Sequence, residues 1–272
     1  MSFLQLPGLG RVRYYEYGTG TKPLLAFHGY GMTGEQFKVL EKSILTQYKV
    51  YSFDHFFHGE TELQGWDEAR ILAGMSKPLM RQYLEAWFEK FGQQRISLMG
   101  YSMGAKLALV LVEQFPDLID QLVLIAPDGL SVYKGFNFLV HKPFGKYLFK
   151  TAVKSNWLAP GILKTLKKVR FIDESLYKIA YHEMDTSTNR HNVYYTLHML
   201  KLLKVEPANI AGVINQHHIQ CTFVFGKHDM LFPKTGAMSF INLLNNPEVH
   251  ELPMGHWLVT PQLDDYLVNC LV

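Results

Sequence analysis

The chain has 272 residues, enough for one large domain or for a domain that carries an insertion. Hydrophobic residues make up 48% and charged residues 19%, which excludes a disordered chain, and a net charge of +3 is too weak to argue for nucleic acid as partner. The two cysteines, Cys221 and Cys270, cannot build a disulfide framework and do not form a C-x-x-C pair, so buried free thiols in a reducing compartment are expected.

In chain order, the opening residues MSFLQLPGLG lack the basic start and apolar core of a secretory signal. No stretch reaches about 18 uncharged apolar residues, so no spanning helix is expected and a cytoplasmic location is the expectation. Residues 11–17 (RVRYYEY) have strand composition, and 24–27 (LLAF) form a short apolar run ahead of the glycine-rich turn His28–Gly31. Residues 35–47 place Phe37, Leu40, Ile44 and Leu45 near helical spacing, and 49–53 (KVYSF) predict another strand ending at Asp54. A helix is predicted over 77–91, a strand over 95–99 (RISLM) and a helix over 103–115. Two further buried-type strands fall at 121–126 and 219–225, a short one at 247–252, and a last helix at 257–271.

Apolar strands alternating with helices imply a mostly parallel sheet flanked by helices on both faces, with ligands bound at the carboxyl ends of the strands. One region breaks this rhythm. Between Pro127 and about Gln216 no strand signal appears, and the segment is helical and aromatic. Its length predicts an inserted helical cap, with a core of 1–127 and 217–272 and a cap of 128–216. Residues 130–204 hold thirteen Lys and Arg against four Asp and Glu, a balance of +9 where the whole chain carries +3. This basic, aromatic segment leaves three readings open. It can attract an anionic substrate, it can rest on an acidic membrane surface, or its aromatics can line an apolar acyl pocket while the lysines are solvated.

The strongest chemical signal is Gly100-Tyr101-Ser102-Met103-Gly104, which follows a predicted strand and opens a predicted helix. That context fits a G-x-S-x-G nucleophile elbow, in which the glycines leave room for a sharp turn that lifts the serine hydroxyl above the strand end. A serine hydroxyl needs a base to take its proton, and the base needs an acid to hold its tautomer. The order serine, acid, histidine points to Asp229 in Gly226-Lys227-His228-Asp229 and to His256 in Met254-Gly255-His256-Trp257, each just after a predicted strand. Asp128, which also ends a strand, is a rival acid. An oxyanion formed at the attacked carbonyl needs preorganised backbone donors, and the amides of Met103 and of Tyr30, in His28-Gly29-Tyr30-Gly31, are the candidates.

Taken together, His28-Gly29, the Gly100–Gly104 elbow, the turn to Asp229 and Gly255-His256 resemble the α/β-hydrolase superfamily, most of all its capped single-domain serine hydrolases such as small carboxylesterases. Asp54-His55-Phe56-Phe57-His58-Gly59 also resembles that family's loop after the next strand, although the family usually carries a glycine where this chain has Phe57. The resemblance covers 1–127 and 217–272 and implies hydrolysis of a carboxylic ester or thioester of a small acyl substrate, with no cofactor and no metal. Relatives that cleave carbon–carbon bonds, and some that perform lyase chemistry, keep the same three groups, and His256-Trp257 resembles the carbon–carbon hydrolases at that dipeptide. For such a substrate Arg190 would be the carboxylate ligand; otherwise it is expected as a solvated charge at a helix end. A non-catalytic ligand binder on the same fold is the reading from another class. Asp54, His55 and His58 lack a further ligand pair, so a polar loop is expected there in place of a metal site.

Overall fold

The computed structural model describes residues 2–130, 134–168 and 174–269. Among these, nine strands form one sheet: β1 (Ser2–Leu6), β2 (Gly10–Tyr17), β3 (Lys22–Phe27), β4 (Tyr48–Phe53), β5 (Glu62–Leu63), β6 (Ile96–Tyr101), β7 (Ile119–Ile125), β8 (Gln220–Gly226) and β9 (Glu248–Leu252). Their order across the sheet is β1-β2-β4-β3-β6-β7-β8-β9, with β5 pairing β2. β1 and β2 run antiparallel to their neighbours, and from β4 through β9 every pair is parallel. Register sets Phe27 of β3 beside Gly100 of β6, and Tyr101 beside Ile125 of β7, so the ends of the central strands are level.

The apolar runs at 24–27, 96–101 and 121–125 follow from this position, since a central parallel strand is covered on both faces. On one face Leu24, Ala26, Met99, Val123 and Val224 pack with Leu258, Leu263 and Leu267. On the other, Phe27 and Phe53 meet the edge of Tyr83 in the helix Lys77–Phe91. Burying each such side chain stabilises by about 1.5–3 kcal/mol.

The helices are α1 (Ile44–Gln47), α2 (Glu68–Ala73), α3 (Lys77–Phe91), α4 (Met103–Gln114), α5 (Lys134–His141), α6 (Pro143–Lys154), α7 (Leu158–Lys168), α8 (Glu174–His182), α9 (Ser187–Met199), α10 (Pro207–Gln216), α11 (Lys234–Ile241) and α12 (Pro261–Val268). They fall into two compact units. One comprises 1–65, 76–131 and 203–272; the other comprises 66–75 and 132–202. The first holds the sheet with α1, α3, α4 and α10–α12, and the second holds α2 and α5–α9.

Five elements differ from the sequence expectation. The predicted helix over 35–47 is a 3₁₀ turn (Gly34–Val39) followed by the four-residue α1. The Asp264 carboxylate accepts the amides of Lys42 and Ser43, both at 2.9 Å, and the Ser43 hydroxyl at 2.6 Å, so the backbone leaves the helical ladder there. The last helix begins at Pro261, because proline is preorganised for a first helical position, and the 257–260 stretch is not helical. β1, β5 and α2 carry weak local patterns, and the short α2 is started by the Asp67 side chain, which accepts the Arg70 amide at 2.8 Å. Cys221 is buried; Cys270 lies outside the described residues. No described helix is long and apolar enough to cross a membrane.

Candidate active site

β6 delivers Ser102 at its carboxyl end, and α4 leaves from the next residue. The turn between them has no slack. A Cβ on Gly100 would come to 2.5 Å from Ala105 Cα, and one on Gly104 to 1.9 Å from the Phe27 carbonyl oxygen. Only glycine fits at either place, which is the physical content of the G-x-S-x-G spacing. Ser102 itself adopts φ 52°, a left-handed backbone that costs a non-glycine residue about 1–3 kcal/mol. The surroundings hold it there. Its amide donates to Ile125 O at 2.8 Å, and its carbonyl accepts the amides of Ala105 at 3.0 Å and Asp128 at 3.1 Å.

β8 and β9 supply the other two groups. His256 Nε2 lies 3.1 Å from Ser102 Oγ, and His256 Nδ1 lies 2.8 Å from Asp229 Oδ2. The second contact assigns the ring proton to Nδ1, because a carboxylate oxygen can only accept. Nε2 is then the acceptor facing the serine hydroxyl. The other Asp229 oxygen accepts the amides of Leu231 at 2.8 Å and Phe232 at 3.0 Å. Burial works to raise the Asp229 carboxyl, but the hydrogen bond and charge of His256, joined by those two amides, hold it below the ordinary carboxylate range. All three side chains are buried.

The rival acid is engaged elsewhere. Asp128 pairs with Lys106 of α4 at 2.5 Å. Of the two carboxylates, Asp229 is the one bonded to His256.

The turn after β3 lies against the serine. A Cβ on Gly29 would meet two ring carbons of Tyr101 at 2.6 Å and Ser102 Cβ at 3.5 Å, so the Tyr30 peptide follows a residue pressed onto the elbow. Met103, the other candidate donor, is the first residue of α4, where a backbone amide has no intrahelical acceptor.

His28 holds this turn from beneath. Its Nε2 accepts the His55 amide at 3.0 Å, which places the proton on Nδ1, donated to Gly29 O at 2.6 Å. His55 returns the contact, its Nε2 donating to His28 O at 3.0 Å, with the two rings 4.1 Å apart. Burial first, and then the neighbouring imidazoles, lower His28 well below its ordinary value and His55 to about 3; burial lowers His58 to about 4. Among the described residues no group of three or more His, Cys, Asp or Glu is arranged to hold a metal ion. Asp54 is likewise occupied, accepting the amides of Gly34 at 2.8 Å and Glu60 at 3.1 Å. In the same loop Phe57 has φ 67°, a conformation that favours the glycine the resemblance expects there.

One residue of consequence escaped the sequence reading, and one that it named has a different role. Tyr101 stacks on His256, with ring centroids 5.5 Å apart, and donates its hydroxyl to His256 O at 2.7 Å. It sits in the variable position of the elbow motif, so no sequence signal marks it. Arg190 corrects an expectation of both kinds: it neither faces solvent nor offers itself to a ligand. The residue is 1% exposed. Its guanidinium donates to Val153 O at 2.9 Å, Met184 O at 2.9 Å and Asp185 O at 3.2 Å, and also to Asn156 Oδ1. These acceptors lie at and just beyond the C-terminal ends of α6 and α8, where helix dipoles favour a cation.

The family described as alpha/beta hydrolase fold matches residues 22–260. No curated protein matches the chain significantly. Solved structures do. A thermophilic esterase from Thermogutta terrifontis superposes with TM-score 0.70 at 12% identity, covering 99% of this chain and 96% of that one. A meta-cleavage product hydrolase from Pseudomonas fluorescens gives 0.66 at 15%, covering 100% and 96%. A thioesterase domain from the curacin biosynthetic pathway gives 0.63 at 15%, covering 99% and 98%.

Proposed function

The chain belongs to the α/β-hydrolase fold family, and on that premise we propose that it is a serine hydrolase cleaving a carboxylic ester or thioester through an acyl-enzyme. The observation that carries the reading is the continuous line of contacts from Ser102 Oγ through the two nitrogens of His256 to Asp229.

In this reading His256 Nε2 takes the Ser102 proton as Oγ attacks the acyl carbon. The oxygen of that carbonyl becomes an oxyanion held by the amides of Met103 and Tyr30. Collapse of the tetrahedral intermediate expels the alcohol or thiol, which leaves with the proton from His256. Water then attacks the acyl-enzyme, giving its proton to Nε2, and Ser102 departs as the hydroxyl while the carboxylic acid is released. Asp229 keeps Nδ1 protonated and offsets the positive charge on the ring in both halves. The residues between β7 and β8, 128–216, are assigned the role of the cap that selects the acyl group, on the sequence argument alone.

The carbon–carbon reading loses its candidate carboxylate ligand, since the Arg190 guanidinium is spent on main-chain and amide oxygens. A fluorophosphonate probe tests the hydrolase reading. Labelling of the folded protein at Ser102, absent in Ser102→Ala, is expected; a folded protein that stays unlabelled is a binder, and the proposal fails. A series of p-nitrophenyl esters of graded acyl length beside acyl thioesters then ranks the substrates.

A further inference from the structure

Between Asp128 and Asp173 the chain has no acidic residue and nine Lys and Arg. An ordinary solvated surface mixes both signs. This stretch also concentrates exposed apolar surface: six of the eleven large hydrophobic side chains exposed among the described residues, from Phe138 to Ile162, belong to it.

α6 shows how the two features are combined. Gly145, Phe149 and Val153 recur every fourth residue and are buried. On the far side of the same helix Phe144, Tyr147 and Leu148 are 64%, 68% and 40% exposed. Lys142, Lys146, Lys150 and Lys154, again at every fourth residue, form a row along the flank between those faces. Among the described residues none of these four lysines has an ion-pair partner. Trp157, 77% exposed, stands just ahead of α7, and Ile162 of α7 is 46% exposed.

A helix with one face packed and a second apolar face bare has an unmet use for that second face. We propose that α6 and the start of α7 dock the protein on an anionic lipid surface, with Phe144, Tyr147, Leu148 and Trp157 entering the interface and the lysine row set against lipid phosphates. The charge argues for lipid. An extended, single-signed cationic face complements a sheet of anionic headgroups, and bulky aromatics are the side chains that settle at headgroup depth. A second copy of this chain is a poor occupant, because a two-fold contact through this face brings one lysine row against its like. The helix lies on the surface and does not enter further, since no described helix is long and apolar enough to span.

The test is co-sedimentation of the full chain, carrying Ser102→Ala so that no lipid is turned over, with phosphatidylcholine vesicles and with mixed phosphatidylglycerol/phosphatidylcholine vesicles. Binding to the mixed vesicles alone, weakening with added salt, is expected. Trp157→Ala with Tyr147→Ala should reduce it strongly. Lys146→Gln with Lys150→Gln should reduce it by roughly tenfold or more, since each basic residue near such a surface contributes about a fivefold factor. All four positions are exposed, and the wild-type salt dependence stands apart from any change in variant folding. Equal partition to both vesicle types, no partition to either, or a soluble dimer dispersed by Trp157→Ala would overturn the proposal.

Discussion

Tyr101 clamps His256 from two directions, its ring stacked on the imidazole at 5.5 Å and its hydroxyl bonded to the histidine's own carbonyl oxygen at 2.7 Å. The residue before the serine thus fixes the residue that would take the serine's proton. Since β6 carries both Tyr101 and the approach to Ser102, a single strand end sets the position of Ser102 and His256 relative to each other.

Tyr101→Phe separates these roles. It keeps the stack and removes one buried hydrogen bond, so stability should fall by about 1 kcal/mol, measured by urea denaturation. The base becomes less well held, so kcat for a soluble ester should fall about tenfold while KM changes little. Unchanged kcat would show that the hydroxyl acts on stability alone.

Gly104→Ala should be among the most damaging single substitutions in the chain. The new Cβ would lie 1.9 Å from Phe27 O and 2.4 Å from its carbonyl carbon, and backbone cannot step aside as a side chain can. A loss of roughly 3 kcal/mol or more, or failure to accumulate in soluble form, is expected. A loss below about 1 kcal/mol would mean that α4 can move away from β3.

Arg190→Lys should behave almost as badly as Arg190→Met. One ammonium cannot reach acceptors spread from Val153 to Asp185, and the Val153 carbonyl left without a donor is buried. Each substitution should cost roughly 3 kcal/mol or more by thermal or chemical denaturation. Rescue by lysine would show that charge alone is needed there.

Stability should fall on mild acidification. His28, His55 and His58 are all held below their ordinary values by burial, His55 at about 3 and His58 at about 4. The unfolded chain protonates them near pH 6.5 while the folded protein keeps them neutral, so between these limits the unfolded state binds more protons. Their contribution is complete above pH about 6.5 and declines as pH falls through the window, by up to about 1.4 kcal/mol per pH unit for each ring. Urea titrations at pH 7 and pH 5.5, above the range where carboxylates dominate, measure this slope. A flat response would mean that the rings accept protons in the fold.

Much of the sheet was legible because its central strands are covered on both faces and so read as short apolar runs bounded by turns. The helix over 77–91 was legible in full, with Met80, Tyr83, Leu84 and Trp87 on its buried side. The break in the 35–47 helix was not, because the carboxylate that captures its amides belongs to Asp264, more than two hundred residues away. Local periodicity carries no trace of such a partner. The same holds for α2, whose six residues contain too few turns to show a pattern.

The sequence alone determined the kind of chemistry to look for: a serine between two glycines at a strand end, and an acid and a histidine at later strand ends in the right order. Those signals are local, since each is a turn whose sterics are written in adjacent residues. Which carboxylate meets the histidine was decided only by the tertiary structure, because Asp128 and Asp229 both end strands and differ only in what lies opposite, Lys106 for one and His256 for the other. The fate of Arg190 was decided in the same way, by two helix ends that converge on it from elsewhere in the chain. Turn chemistry is a property of neighbours in sequence; the pairing of charges depends on neighbours in space.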